Sequence, residues 1–341
     1  MIQRSENYNA IDLTKFIMAI FVVAIHTNPL YKFDNDIITT LYECTVRCAV
    51  PFFFIASGFF VSLKMNKIDA KQDKILVIRK QLVRILKMYI VWSVIYLPLA
   101  IYGFAKNNCS LLDSILSYAK GFLLYGENFN SWMLWYLLST IYALLFIEFL
   151  LRKNISLNTI CIIGSLFLLI GLSIDYLVNM ESNLPNALES TKTIIKNTIV
   201  NGRIFTGFFY IPVGMLLAQK SINLYLSTVF FVVGFAGNFL FEDIIGNLFL
   251  ALCCTGLFSI ISYIRLPNSP MFLYFRQSST IIYLIHMYVM TLFDLTLYGY
   301  MRVGLKVFIV TTFISCLLSF IYITYTQLYK KFKTKKSTYI T

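Results

Sequence analysis

IDLTKFIMAIFVVAIHTNPL, residues 11–30, decides the class of this protein. Between Lys15 and His26 every side chain is apolar or small. Twenty residues at about 1.5 Å each span about 30 Å, the thickness of a bilayer's hydrocarbon core. The run shows no period-two alternation, so it reads as a spanning helix rather than a barrel strand. Polar MIQRSENYN precedes it and no small-residue cleavage site follows it. It is therefore expected to be a permanent anchor rather than a cleaved signal. An imidazole inside such a run is costly unless a partner satisfies it, which makes His26 the first question of the sequence.

The rest of the chain repeats the pattern. Of 341 residues 58% are hydrophobic and only 13% charged, and mean hydropathy is +0.73. Soluble domains carry roughly a quarter charged residues. Ten apolar stretches read as spans: 11–30, 45–64, 84–104, 132–151, 157–178, 203–219, 223–241, 244–264, 279–298 and 306–328. The fold class is thus an all-α integral membrane protein, a bundle of about ten transmembrane helices. Residues 109–126, CSLLDSILSYAKGFLLYG, are amphipathic and are expected to lie in the interface. No internal repeat or low-complexity linker divides the chain. One transmembrane domain is expected over 1–329, followed by a basic cytoplasmic tail over 330–341.

The formal charge of +13 is a topology signal. With both termini cytoplasmic, roughly two thirds of the 29 Lys and Arg fall on the inner side, as the positive-inside rule requires for an even number of spans. The expected location is the cell membrane, multi-pass. Nucleic acid is excluded as a partner, because the charge follows the loops and forms no binding face. The seven cysteines lie mostly in apolar runs and read as small hydrophobes; neither a disulfide framework nor a metal site is expected.

The two histidines, His26 and His286, both fall inside spans. Lys15 and His26 are eleven residues apart, which returns to the same helix face about 16 Å along the axis. A cation near the inner end and a base farther out suit a long phosphate-bearing donor threaded into the bundle; an ordinary snorkelling anchor explains Lys15 equally well. Counted from the expected span starts, His26 lies about 22 Å deep and His286 about 10 Å. A direct pair is not implied, and a shared cavity stays open. Arg84 belongs to a basic inner-surface cluster with Arg79, Lys80 and Lys87, the kind of cluster a phosphate site needs. Asp12, Arg47, Trp135 and Arg203 complete the pocket candidates. Ala56, Ser57 and Gly58 form a small patch for close helix approach, and Pro-Val-Gly at 212–214 reads as a helix break. No Walker A, dinucleotide glycine motif or nucleophile elbow is present.

At KFIMAIFVVAIH (15–26), VPFFFIASGFF (50–60), LWYLL (134–138), FFYIPVGMLLA (208–218) and SSTIIYLIH (278–286) the chain resembles, in order and over nearly its whole length, the acyltransferase family 3 integral-membrane proteins. Lys15 stands where that family usually has Arg, Gln81 where a second Arg is common, and Met133 where many members have His. The resemblance implies ten core spans and transfer of an acyl group, often acetyl from cytoplasmic acyl-CoA, to a hydroxyl of an envelope glycan or a small acceptor. His26 would be the catalytic base, Lys15 and Arg84 would hold the donor's anionic part, and His286 would be a second pocket residue. No cofactor is implied beyond acyl-CoA as co-substrate. The lipid bilayer is a partner, and a homodimer is one oligomeric option. The chain also resembles a branch that includes the membrane domains of vancomycin-resistance serine racemases. Two functions therefore stay open: an O-acyltransferase, or a domain binding or transporting L-serine. A structural membrane subunit is a third.

Overall fold

A computed structural model describes residues 8–180, 186–295 and 303–338, except the side chains of 186–188, 197 and 330–338. Among the described residues the ordered elements are helical. Two compact units emerge. The first comprises Met1–Ala49 and Ile264–Thr341, the second Val50–Tyr263.

The first unit contains α1 (Asn9–Thr27), α2 (Asp36–Val46), α12 (Pro270–Phe293) and α13 (Leu305–Thr338). α1 stops where its sequence says it should. Asn28 adopts the left-handed conformation at φ 37° and donates its N–H to the Ala24 carbonyl, a conformation asparagine tolerates, and Pro29 cannot continue the helix. α12 begins nine residues before the expected span. Ser269 caps it, its side chain accepting from the Met271 N–H, and Pro270 occupies the first turn, the position where a missing N–H costs nothing. The apolar run beginning at 279 hides this start, because the first turns of α12 carry Arg276, Gln277 and Ser278. α13 continues through Thr338, so most of the segment read as a tail is helical. Residues 339–341 and the lysine side chains of the tail lie outside the described residues, as do Arg4 and 296–298 of the expected ninth span.

The second unit contains most of α3 (Ala49–Met65), then α4 (Lys71–Lys106), α5 (Leu111–Lys120), α6 (Trp135–Arg152), α7 (Leu157–Asn179), α8 (Asn186–Thr198), α9 (Thr206–Gln219), α10 (Leu224–Leu240) and α11 (Asp243–Tyr263). α4 is 36 residues long, about 54 Å, and far exceeds a bilayer core. The basic inner-surface cluster of Arg79, Lys80, Arg84 and Lys87 therefore lies on the first half of a helix that begins 13 residues before the expected span. α5 buries none of its residues and exposes Leu111, Leu112, Ile115 and Leu116, as an interfacial helix does. Tyrosines staple this segment to α4: Tyr89 donates to the Phe122 carbonyl at 2.6 Å and Tyr118 to the Ser93 carbonyl at 3.2 Å.

The expected spans fall on helices. Among the described residues seven stretches are long and apolar enough to cross a membrane on length and composition: Asn9–Thr27, Asp36–Met65, Lys71–Lys106, Trp132–Arg152, Leu157–Asn179, Asp243–Tyr263 and Leu305–Tyr329. α10 is a shorter apolar helix, and α9 has 14 residues. α9 runs unbroken through Pro212, so the Pro-Val-Gly break is not there. Its role is packing. A Cβ on Gly214 would overlap the Ile55 carbonyl oxygen, and one on Gly58 would overlap that of Ile211. α3 and α9 thus cross backbone against backbone, the small-residue contact that membrane helices favour.

Candidate active site

In the first unit α1 and α12 run parallel, and their polar residues meet at two levels. At the N-terminal level Arg276 grips Asp12. Its Nε donates to both carboxylate oxygens at 3.0 and 2.9 Å, and its Nη2 to Oδ2 at 2.6 Å. Asp12 is 0% exposed and the Arg276 side chain 53%. Nearby, the Asn9 amide donates to the Pro267 carbonyl at 2.8 Å, and the Arg265 guanidinium lies over the Tyr8 ring. A buried carboxylate needs both charge and hydrogen bonds returned to it, and the planar fork of arginine supplies both.

At the C-terminal level the rings of His26 and His286 lie 5.2 Å apart between centroids, tilted by 34°. This corrects the unequal depths expected from sequence. His286 sits 16 residues after the true start of α12 and His26 17 residues after that of α1, or about 24 and 26 Å along parallel axes. His286 is fully buried. Its Nδ1 lies 3.2 Å from the Ile282 carbonyl oxygen. A carbonyl only accepts, so Nδ1 carries the proton and Nε2 presents a bare lone pair. That Nε2 is buried without a hydrogen-bond partner in the protein. His26 is half-buried in the last turn of α1. Lys15 is half-buried too, on the α1 face shared by Asp12 and His26, one turn from the ion pair. Arg47 is exposed in the turn joining α2 to α3.

The other candidates belong to the second unit. Arg84 is exposed near the middle of α4. Beside it in sequence, Arg79 is committed to Glu148 at 2.7 Å, and Arg152 shares the same carboxylate oxygen at 2.8 Å. Lys71 donates to the Arg152 carbonyl at 3.2 Å and also to Asn154. Much of the basic surface of α4 thus ties α4 to the end of α6. Trp135 opens α6 against Phe54. Arg203 is exposed and approaches Glu127 at 3.8 Å. Burial pushes the Glu127 carboxyl above its ordinary range, partly opposed by Arg203 and by an Asn201 hydrogen bond. Among the described residues no three His, Cys, Asp or Glu side chains cluster as metal ligands, and none of the seven cysteines is in a disulfide.

The model of the acyltransferase domain family, type 3, matches residues 8–324. The chain belongs to the acyltransferase 3 family. Among characterised relatives, an amino-acid racemase of Enterococcus faecalis is 28% identical over 217 residues, 63% of this chain and 28% of the relative. A serine/alanine racemase of Enterococcus gallinarum is 30% identical over 241 residues, 67% of this chain and 32% of the relative. The chain therefore spans about a third of the length of the curated relatives it matches. No solved structure matches it.

Within this acyltransferase 3 protein, the structure brings together two residues that the sequence singled out, His26 and His286, while Asp12 and Lys15 lie on the same face of α1 at its other end, about 16–21 Å away. Sequence reasoning missed Arg276, counting it only as an inner-side cation. The signal was available, because an aspartate in the first turn of a spanning helix demands a cationic partner. Glu148, a carboxylate embedded in apolar sequence, was missed although it carried the same signal; Glu127 lies in the polar loop GENFNS and gave none.

Proposed function

We propose that this membrane protein is an O-acyltransferase that moves an acyl group, acetyl in the simplest case, from cytoplasmic acyl-CoA to a hydroxyl of a cell-envelope acceptor. The observation that carries the reading is the His26–His286 pair at the end of a polar seam whose other end holds Lys15 and the Asp12–Arg276 ion pair. At 5.2 Å between ring centroids the two imidazoles are in ring contact, and the acceptor hydroxyl approaches beside them. The acceptor oxygen attacks the thioester carbonyl while its proton passes to a neutral imidazole, His26 acting as general base. The C–S bond breaks, and the protonated imidazole returns the proton to the departing thiolate. The hydroxyl's one proton goes to His26; His286, which presents only an acceptor at Nε2, is a second pocket residue beside it. Lys15, about 16 Å down the same face, holds the donor's phosphates as a point charge. Family membership supports the chemistry; donor and acceptor are proposed. The positive-inside bias supports cytoplasmic termini, and α1 parallel to α12 is the parity that the ten-span reading requires.

The racemase names of the relatives support a second reading, in which the domain binds or carries a small amino acid such as L-serine. One experiment separates the two. Purified protein in proteoliposomes is given labelled acetyl-CoA, and in a parallel arm labelled L-serine. CoA release that falls at least 100-fold in His26→Ala supports the acyltransferase. Serine uptake without any dependence on acyl-CoA, and unaltered CoA release in His26→Ala, would refute it.

A further inference from the structure

In the first unit, hydroxyl groups divide into two kinds. Those of Thr14, Thr27 and Thr291 donate to the carbonyl four residues back, at 2.8 Å in each case, and Thr326 donates three residues back at 2.9 Å. This is how a hydroxyl is normally satisfied inside a membrane helix. The hydroxyls of Ser278 on α12 and of Thr311, Thr312 and Ser315 on α13 make no such bond. Each is buried and has no partner in the protein. An unmade hydrogen bond in a dry interior costs on the order of 1–3 kcal/mol, and back-bonding is always on offer in a helix. Four hydroxyls that forgo it together point to another partner.

These groups share a register. Tyr274 of α12 packs its ring on Phe320 of α13 at 5.8 Å. In this antiparallel pair that contact sets Ser315 at the level of Ser279 and Thr311 and Thr312 at the level of Tyr283 and Ile282, about one turn short of His286. On α13 the buried face is Val307, Thr311, Ser315, Ser319 and Ile323, a strict four-residue step of about 6 Å. Its polar middle runs from about one turn below His286 down to the level of Arg276, so one further water joins Thr311 to the His286 ring. Ser319 and Ser279 each donate to a backbone carbonyl and keep lone pairs free to accept. His286 supplies the second, independent observation. Its Nδ1 is tied to its own helix, so Nε2 points away from the α12 backbone, buried and unpartnered.

The geometry points to a file of water between α12 and α13, held by Ser278, Thr311, Thr312 and Ser315, that carries protons between His286 Nε2 and the surface at the half-exposed Arg276. Steps of about 6 Å between hydroxyls are each closed by one water, and each water finds the two to four polar partners that buried water needs. An excess proton arriving at Nε2 passes down the file to bulk water, and the reverse path reprotonates the ring. Against α12, α1 brings His26 and Asp12 and carries Lys15 on the same face; α12 itself carries Arg276 and, at its C-terminal end, the buried Asp294. The inference stands without the acyltransferase reading, since it concerns hydration of the seam alone.

The test uses the fact that the chain holds only two histidines. Deuterium exchange at imidazole C2, read by mass spectrometry on peptides of the intact protein in nanodiscs, reports water and proton access to each ring. Despite complete burial, His286 should exchange within a few-fold of half-buried His26. Thr311→Val/Ser315→Ala should slow His286 at least five-fold and leave His26 unchanged. Thr326→Val, which loses a back-bonded hydroxyl, should change neither. Should the double variant misfold, His26 would accelerate with His286, and Ser278→Ala then serves as the milder variant with the same selective slowing. No exchange at His286 in the native protein, or a rate at His286 indifferent to both the double variant and Ser278→Ala, would overturn the water file.

Discussion

Cutting the Asp12–Arg276 pair from its two sides should give unequal results. Asp12 is 0% exposed whereas Arg276 is 53% exposed. In Arg276→Ala the carboxylate keeps its charge and loses three charge-assisted hydrogen bonds. Leaving one partner of a buried pair uncompensated costs about 3–5 kcal/mol. In Asp12→Ala the guanidinium turns to water, and the loss is about 1–2 kcal/mol of hydrogen bonding, plus up to ~1 kcal/mol for an acid in the first turn of α1. The double variant should therefore be more stable than Arg276→Ala alone, because it removes the stranded charge. The cysteines provide the assay. Cys44 and Cys48 are buried in the first unit, and Cys253 and Cys254 in the second. Thiol labelling read by mass spectrometry then reports local opening of each unit separately. At tenfold per 1.4 kcal/mol, Arg276→Ala should speed labelling of Cys44 and Cys48 by about 10² to 4 × 10³-fold and leave Cys253 and Cys254 as internal references. Adding Asp12→Ala should recover most of that. If Asp12→Ala is as damaging as Arg276→Ala, or if the double variant is the worst of the three, the argument from unequal burial is wrong.

Two further outcomes follow from the second unit. Gly58→Ala places a methyl group on the Ile211 carbonyl, where only backbone movement makes room, so a loss near or above the upper end of the usual 1–3 kcal/mol for overpacking is expected. SDS titration followed by circular dichroism measures it, and a neutral Gly58→Ala would mean that α3 and α9 can slide apart freely. Glu127 has a carboxyl shifted upward by burial, so the folded state holds its proton at pH values where the unfolded chain has released it. Its contribution to stability therefore falls as pH rises from the ordinary glutamate range through the folded-state value, and levels off above it. Glu127→Gln should flatten that fall in thiol labelling of Cys253 and Cys254; an unchanged slope would remove Glu127 as its source.

Membrane class and helical content were legible at once, because a bilayer admits only helices and closed barrels and a run of about 20 apolar residues is its signature. The family was legible too, since its landmarks are local strings in a fixed order. Boundaries were less legible where helices extend beyond the apolar run. α4 and α12 both open on charged or hydroxylated turns, and a hydrophobicity criterion starts them 13 and nine residues late. The Ser269-Pro270 cap marked the true start of α12, and it was this displacement that separated His286 from His26 on paper.

The sequence by itself determined a multi-span helical protein, the alignment of Lys15 with His26 on one face, and the small residues where helices approach. Those are properties of a single helix and of its solvent. The tertiary structure decided which helices are neighbours. Only the packing of α1 parallel to α12 sets Arg276 on Asp12 and brings two imidazoles to 5.2 Å, and only that of α4 on α6 commits Arg79 to Glu148. Partners more than 250 residues apart in the chain leave no trace in local periodicity, because hydrogen bonds and charges act over a few ångströms in space, wherever the chain has been folded to bring them together.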